Sequence, residues 1–152
     1  MFLFKKKAAS TDLSWLGTDL HSHLLPGIDD GSQDIATSLE LLKGMQALGY
    51  KKVVTTPHIL WEMYPNTSEI IRSKIEGLTK AVTEAGIDVP VHAAAEYFID
   101  EHFQKALRQK QPLLTIQNNI VLVEFSMITA PMDLLDVFFE LQRVKCGGNC
   151  LR

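Results

Sequence analysis

His21 and His23 stand one residue apart, directly after a short and partly apolar segment. A His-x-His pair at the end of a strand places both imidazoles on one side, because side chains alternate with a period of two. Imidazole nitrogens are good ligands for Zn, Mn and Fe. Asp29 and Asp30 follow in a loop between two glycines, which can turn sharply and direct a carboxylate inward. The stretch 19–31, DLHSHLLPGIDDG, is therefore either part of a metal site or an ordinary polar turn.

Further metal-capable side chains follow later in the chain, each within or at the end of an apolar segment. They are His58 after VVTTP, Glu96 after VHAAA and Glu124 within IVLVEF. A carboxylate beside apolar residues is costly to bury unless it is paired. Each residue alone also fits an ordinary strand end or turn. Together they favour a metal site, because otherwise several coincidences at strand ends would be required.

The elements that must position these residues alternate between strand and helix patterns. The predicted strands are 17–21, 51–58, 88–96 and 118–125, and the predicted helices are 32–50, 66–86, 99–109 and 131–142. Ser32 or Asp34 is a candidate cap of the first helix, Asn66 opens the second, and Gly49 and Gly86 mark the two ends. Alternation of this kind predicts an α/β fold of four β/α units with parallel strands. The carboxyl ends of such strands open on one face in a β/α barrel, so the candidate ligands would converge there.

Length, composition and charge favour a single globular domain and argue against a nucleic-acid-binding or membrane-inserted protein. With 152 residues, of which 46% are hydrophobic, the chain fits one globular domain. A net charge of −3 without a basic face argues against nucleic acid as a partner. No stretch approaches the roughly 18 apolar residues that span a bilayer, so stable membrane insertion is not expected. We interpret residues 1–16 as a flexible N-terminal arm and predict a cytoplasmic location.

Four segments together resemble a known family: DLHSHLLPGIDDGSQD, VVTTPH, AAAEYFIDEHF and IVLVEF. They are similar to the polymerase-and-histidinol-phosphatase (PHP) superfamily, and more narrowly to its bacterial capsular and exopolysaccharide protein-tyrosine phosphatases. The resemblance covers residues 17–142. It implies the N-terminal part, about four β/α units, of a PHP-type distorted TIM-like barrel.

The resemblance also implies a site with up to three divalent metal ions, manganese above all, with Fe or Zn as alternatives. The implied metal ligands are His21, His23, Asp30, His58, Glu96 and Glu124. In the family pattern the two first histidines hold one ion and Glu96 bridges it to a second. Glu124 joins that second ion, and Asp30 with His58 serves the third. Asp30 matches better than Asp29, because the family uses the aspartate next to the glycine.

The reaction implied is hydrolysis of phosphotyrosine on a protein substrate, a bacterial tyrosine kinase that controls polysaccharide export. No cysteine nucleophile is needed. The family also has a His-Pro-Glu-Arg stretch with a phosphate-binding arginine, and later an Asp-x-His pair, and neither is present in this sequence. No catalytic residue beyond the metal ligands is therefore assigned. We expect a C-terminally truncated domain with a divergent tail at 143–152, and weak or no activity for this chain alone.

Three alternatives stay open. The chain could be another PHP phosphoesterase, such as a histidinol-phosphatase-like enzyme, or a non-catalytic remnant. Cys146 and Arg152 also have the Cys-x5-Arg spacing of cysteine-dependent tyrosine phosphatases. That loop requires a preceding strand and a following helix, and the sequence favours neither. His92 and His102 fit structural positions better than ligand positions.

Overall fold

The computed structural model describes residues 12–143, in which short strands alternate with helices. The strands are β1 (Thr18–Asp19), β2 (Lys52–Thr55), β3 (His58–Ile59), β4 (Val91–Ala93), β5 (Glu96–Phe98) and β6 (Leu122–Glu124). The helices are α1 (Ile35–Ala47), α2 (Ser68–Glu84), α3 (Glu101–Arg108) and α4 (Leu134–Arg143). Every pairing between these strands is parallel. The predicted α/β class with parallel strands is confirmed.

The strands form two small sheets, with the orders β1-β2-β4 and β3-β5-β6. The two central segments stay hydrogen-bonded to each other between the sheets: Ala94 N–H donates to Thr55 O at 2.9 Å, and Glu96 N–H donates to Pro57 O at 3.0 Å. In place of the predicted strand 51–58 the structure has β2 followed directly by β3, and in place of 88–96 it has β4 followed directly by β5. The prediction of single strands was wrong because Pro57 has no N–H to continue the ladder.

The helix ends follow capping chemistry. Asp34 caps α1, and its Oδ1 accepts a hydrogen bond of 2.8 Å from Thr37 N–H. Gly49 follows this helix with φ +100°, a conformation that glycine adopts without strain. Thr67, and not Asn66, caps α2. The prediction for Asn66 was wrong because its amide is engaged elsewhere, as described below.

The core lies between the strands and the helices. The largest fully buried side chains include Phe103, Leu25, Leu42, Ile71 and Leu78. On α2 the buried residues are Ile71, Ile75, Leu78 and Val82, which recur at helical spacing along one face. Burying one such aliphatic side chain stabilises a fold by about 1.5–3 kcal/mol. This packing holds the strands that carry the candidate ligands.

The last β/α unit is less covered than the first three. The predicted strand 118–125 is only β6, and each of its three residues is partly exposed. Glu124, which we expected to be buried, has a side chain that is 41% exposed. The reason is that β6 pairs with β5 on one side and with no other strand of residues 12–143. The predicted helix 131–142 begins later, at Leu134, and ends at Arg143.

Some predictions fall outside the described range. Cys146, Arg152 and the rest of the predicted tail beyond Arg143 are not described, and neither are residues 1–11 of the predicted arm. Leu13, within the arm, donates its N–H to Leu48 O at 2.7 Å. Within residues 12–143, none of the helices has the length and apolar character needed to cross a bilayer.

Candidate metal centre

The structure brings all six predicted ligands to one open cavity of about 390 Å³. Its lining consists of His21, His23, Asp30, Gly31, His58, Glu96 and Glu124. The six side chains fall into three overlapping groups, in each of which one ligand atom per residue lies within 4.8 Å of the others. These groups are His21, His23 and Glu96; His23, Asp30 and His58; and His58, Glu96 and Glu124. Imidazole and carboxylate at such spacing suit a divalent cation.

Strand pairing brings three of the six residues together, namely His58, Glu96 and Glu124. His58 on β3 and Glu96 on β5 are register partners, so their side chains stand next to each other. Glu124, at the end of β6, pairs with Phe98, two residues beyond Glu96. His58 and Glu96 open their strands, whereas we expected them to end strands. The division of each predicted strand into two corrects that expectation and still leaves both residues on one face.

Glu96 lies at the centre of the three histidines. Its Oε1 is 3.6 Å from Nε2 of His21, and its Oε2 is 3.2 Å from Nε2 of His23. The same Oε2 is 3.2 Å from Nδ1 of His58. The Glu96 side chain is only 9% exposed. A buried carboxylate with both oxygens facing imidazoles could hold a divalent cation together with these histidines.

His58 faces carboxylates with both ring nitrogens. Its Nε2 is 3.6 Å from Asp30 Oδ1, and its Nδ1 is 3.5 Å from Glu124 Oε2. Nδ1 is buried and has no hydrogen-bond partner in the part of the chain that the structure describes, since its short distance to Glu96 lacks hydrogen-bond geometry. An unsatisfied buried polar atom costs about 1–3 kcal/mol. A cation shared with the carboxylates would satisfy it, so these residues fit a divalent metal.

The two sides of the cavity differ in exposure. We call His23, His58 and Glu96 the inner side, because their side chains are 16%, 15% and 9% exposed. We call His21, Asp30 and Glu124 the outer side, because their side chains are 53%, 62% and 41% exposed.

Asp29, which the sequence reasoning set aside in favour of Asp30, lies behind the inner side. Its Oδ2 accepts hydrogen bonds from His23 Nδ1 at 2.9 Å and from His58 N–H at 3.0 Å. Its Oδ1 accepts from Gly31 N–H at 3.0 Å. Burial would raise the pKa of Asp29, but the hydrogen bonds from these three groups together lower it. The bond to Asp29 raises the pKa of His23, against the opposing effect of burial.

Two further residues, which the sequence did not identify as part of the site, hold segments that carry the candidate ligands. The Asn66 amide donates to Ile28 O at 2.9 Å and to His58 O at 2.8 Å, which ties the aspartate loop to β3. Thr56 Oγ1 lies 2.8 Å from Nδ1 of His21. The only sequence signal was their residue type, since asparagine and threonine side chains commonly bond to nearby backbone or imidazole groups.

Gly31 leaves no room for a side chain at the floor of the cavity. A Cβ built there would lie 2.3 Å from both Cβ and the carbonyl oxygen of His23. The close approach of these two backbone segments lets Ser32 N–H donate to His23 O at 3.0 Å.

His92 and His102 lie in other surroundings. Burial, and to a smaller extent the charge of Lys52, lower the pKa of His92 on β4. The His102 ring stacks on Trp61 with 4.0 Å between centroids and an angle of 3°. The rings of Trp61 and His102 border a larger cavity, of about 440 Å³, beside α2 and α3. None of the three ligand groups among residues 12–143 includes either histidine.

Comparison with known proteins places the chain in a family. The family model for capsular polysaccharide synthesis, CpsB/CapC, matches residues 17–148. Tyrosine-protein phosphatase YwqE of Bacillus subtilis is 28% identical over 124 residues, which are 82% of this chain and 49% of that protein. Tyrosine-protein phosphatase CpsB of Streptococcus pneumoniae is 27% identical over 113 residues, which are 74% of this chain and 46% of that protein.

The fold of the chain also matches a solved structure. It comes from work on YwqE of Bacillus subtilis and CpsB of Streptococcus pneumoniae, described as unique metal-dependent tyrosine phosphatases. The TM-score is 0.74 at 28% sequence identity, and the match covers 83% of this chain and 51% of that one. The chain thus spans about half the length of the relatives it matches.

Proposed function

Because the chain belongs to the CpsB/CapC family of capsular polysaccharide synthesis, we propose that it carries the metal centre of a protein-tyrosine phosphatase. The observation that carries this proposal is the set of three overlapping ligand groups. His23, His58 and Glu96 each belong to two of these groups. The names of the matched relatives, all tyrosine-protein phosphatases, support the reaction.

The proposed ligands are His21, His23, Asp30, His58, Glu96 and Glu124. His21, His23 and Glu96 would hold the first ion, Glu96 and Glu124 the second, and Asp30 and His58 the third. Each of these sets falls within one of the three groups. Nitrogen and oxygen donors without a thiolate suit manganese, with Fe or Zn as alternatives. The finer fold that we propose is the first part of a PHP-type distorted barrel.

In the proposed reaction a water oxygen bonds to phosphorus while the bond from phosphorus to the tyrosine oxygen breaks. Divalent cations at such a site lower the pKa of a coordinated water towards neutrality and hold the phosphoryl oxygens. The six proposed ligands of this chain would hold those cations. Among residues 12–143, no lysine or arginine lines the cavity. Because no side chain of these residues supplies positive charge to the phosphate there, we propose that the described part of the chain is by itself a weak or inactive catalyst.

The proposed substrate is phosphotyrosine on a bacterial tyrosine kinase that controls capsule or exopolysaccharide export. The family's role in capsular polysaccharide synthesis supports this context. A cytoplasmic location stays a prediction of the same proposal.

The test is an assay of the chain with added Mn²⁺ against three substrates: a phosphotyrosine peptide, histidinol phosphate and p-nitrophenyl phosphate. We expect slow, metal-dependent hydrolysis that favours the phosphotyrosine peptide. Preference for histidinol phosphate would contradict the tyrosine phosphatase assignment. Fewer than one tightly held ion per chain in a metal analysis would instead indicate a non-catalytic remnant. Hydrolysis of p-nitrophenyl phosphate at an ordinary phosphatase rate would contradict the proposed weakness of the isolated chain.

A further inference from the structure

We propose that Asp29 is a positioning residue that fixes the tautomer and orientation of His23, so that Nε2 is the nitrogen that His23 offers to metal. This inference rests on the proposed metal centre. It assigns a role to an aspartate that lies beside a proposed ligand but is not one itself.

The first step is the direction of the hydrogen bond between the two side chains. An ionised carboxylate only accepts, so in the 2.9 Å contact the proton belongs to Nδ1 of His23. In a neutral imidazole the lone pair is then on Nε2. That atom is the one that lies 3.2 Å from Glu96 Oε2, on the cavity side.

The second step is that Asp29 itself cannot turn away. Its side chain is fully buried, and the backbone N–H groups of Gly31 and His58 each donate to it. Gly31 lies in the same loop as Asp29, whereas His58 opens β3, so the carboxylate is fixed by the fold and not by the histidine alone. A buried acceptor held in this way keeps the imidazole in one orientation.

The third step is a contrast within the His-x-His pair. Nδ1 of His21 meets the hydroxyl of Thr56 at 2.8 Å. A hydroxyl can donate or accept, so this contact is compatible with either tautomer. The exposed His21 is therefore free to adjust, whereas His23 is set before any ion arrives.

The experiment uses the 152-residue chain labelled with ¹⁵N-histidine, without metal, at a pH at which the imidazoles are neutral. Two-bond ¹⁵N–¹H correlations identify which ring nitrogen carries hydrogen. We expect His23 of the wild-type protein to be in the Nδ1–H form. In Asp29→Asn the amide can donate as well as accept, so the Nδ1–H preference should be lost. The affinity for Mn²⁺, measured by calorimetry, should fall about 10- to 100-fold, the usual effect of removing such a partner.

Asp34→Asn is the matched control, because asparagine caps a helix as well as aspartate does and Asp34 lies at the start of α1. This variant should keep both the tautomer and the affinity. An Nε2–H form of His23 in the wild-type protein would overturn the inference, and so would unchanged Mn²⁺ affinity in a folded Asp29→Asn variant. If that variant does not fold, the wild-type spectrum alone decides. A wild-type protein with the expected tautomer that binds no metal would overturn the proposed function and leave the positioning role of Asp29 supported.

Discussion

The inner and outer sides of the candidate metal centre differ in what holds them. On the inner side, His23 and His58 are mostly buried and both bond to Asp29, one through its ring and the other through its backbone. On the outer side, Asp30 and Glu124 extend into solvent. The fold therefore prearranges the inner side, whereas the outer carboxylates are free to reach a bound ion. Preorganised ligands contribute more to binding, because less conformational freedom is lost.

The largest effect is expected from Glu96→Gln, because Glu96 faces all three histidines of the cavity. Mn²⁺ affinity should fall by more than about 100-fold, since loss of a mere supporting partner already costs about 10- to 100-fold. Calorimetric titration measures it. The matched variant is Glu124→Gln on the outer side, for which we expect a smaller loss. Equal losses in the two variants would remove the distinction between the sides.

Gly31→Ala tests the floor of the inner side. The new Cβ would collide with His23, and overpacking of this kind costs typically about 1–3 kcal/mol. The free energy of unfolding, measured with urea in the presence of a chelator, should fall by this amount. Gly77→Ala in α2 is the control, because nothing lies within 4 Å of a Cβ there. It should stabilise by about 0.5–1 kcal/mol. A Gly31→Ala protein as stable as the control would show that the two loops are not in close contact.

Asp30→Asn tests the outer side. Because this side chain is mostly exposed, its loss should leave the unfolding midpoint of the metal-free protein unchanged. We expect at least about tenfold weaker binding of one ion, since tenfold is the lower end for loss of a mere supporting partner, and unaltered binding of the rest. Urea unfolding of the metal-free protein measures the midpoint, and calorimetric titration with Mn²⁺ measures the binding of the ions. Loss of all metal binding would show that Asp30 contributes as much to metal affinity as the inner ligands do, which would contradict the distinction between the two sides.

The smallest effect concerns His92, a histidine outside the cavity. Burial and Lys52 lower its pKa, so the unfolded chain takes up a proton at a higher pH than the folded chain does. Stability should therefore fall as the pH falls below the usual histidine pKa of about 6.5. The difference between the wild-type and His92→Gln unfolding curves over this range isolates the effect. A flat difference curve would contradict the assigned shift.

Much of the site could be predicted from the sequence, because it depends on short-range rules. Side chains alternate along an extended segment, which places His21 and His23 together. Parallel strands bring successive segments to one face, which accounts for His58 and Glu96. The choice between Asp29 and Asp30 as a buried support could not be made. It depends on the backbone N–H of His58, which is distant in sequence.

The fold shows the same division. The order of strands and helices, and the helix ends at Asp34 and Gly49, follow from local patterns. The break of the central strands follows from Pro57, which has no N–H to continue the ladder. Asn66 was read as a helix cap because local chemistry favours it there. Its amide instead bonds to Ile28 O and His58 O, and neither contact has a local signal.

The most direct test of the metal centre is a titration of the ¹⁵N-histidine-labelled chain with Zn²⁺, which is diamagnetic. We expect a ring nitrogen to shift on coordination in each of His21, His23 and His58, with Nε2 as the shifted atom in His23. His92 and His102 should keep their shifts. Coordination shifts at His92 or His102, or no shifts at the three cavity histidines, would contradict the account.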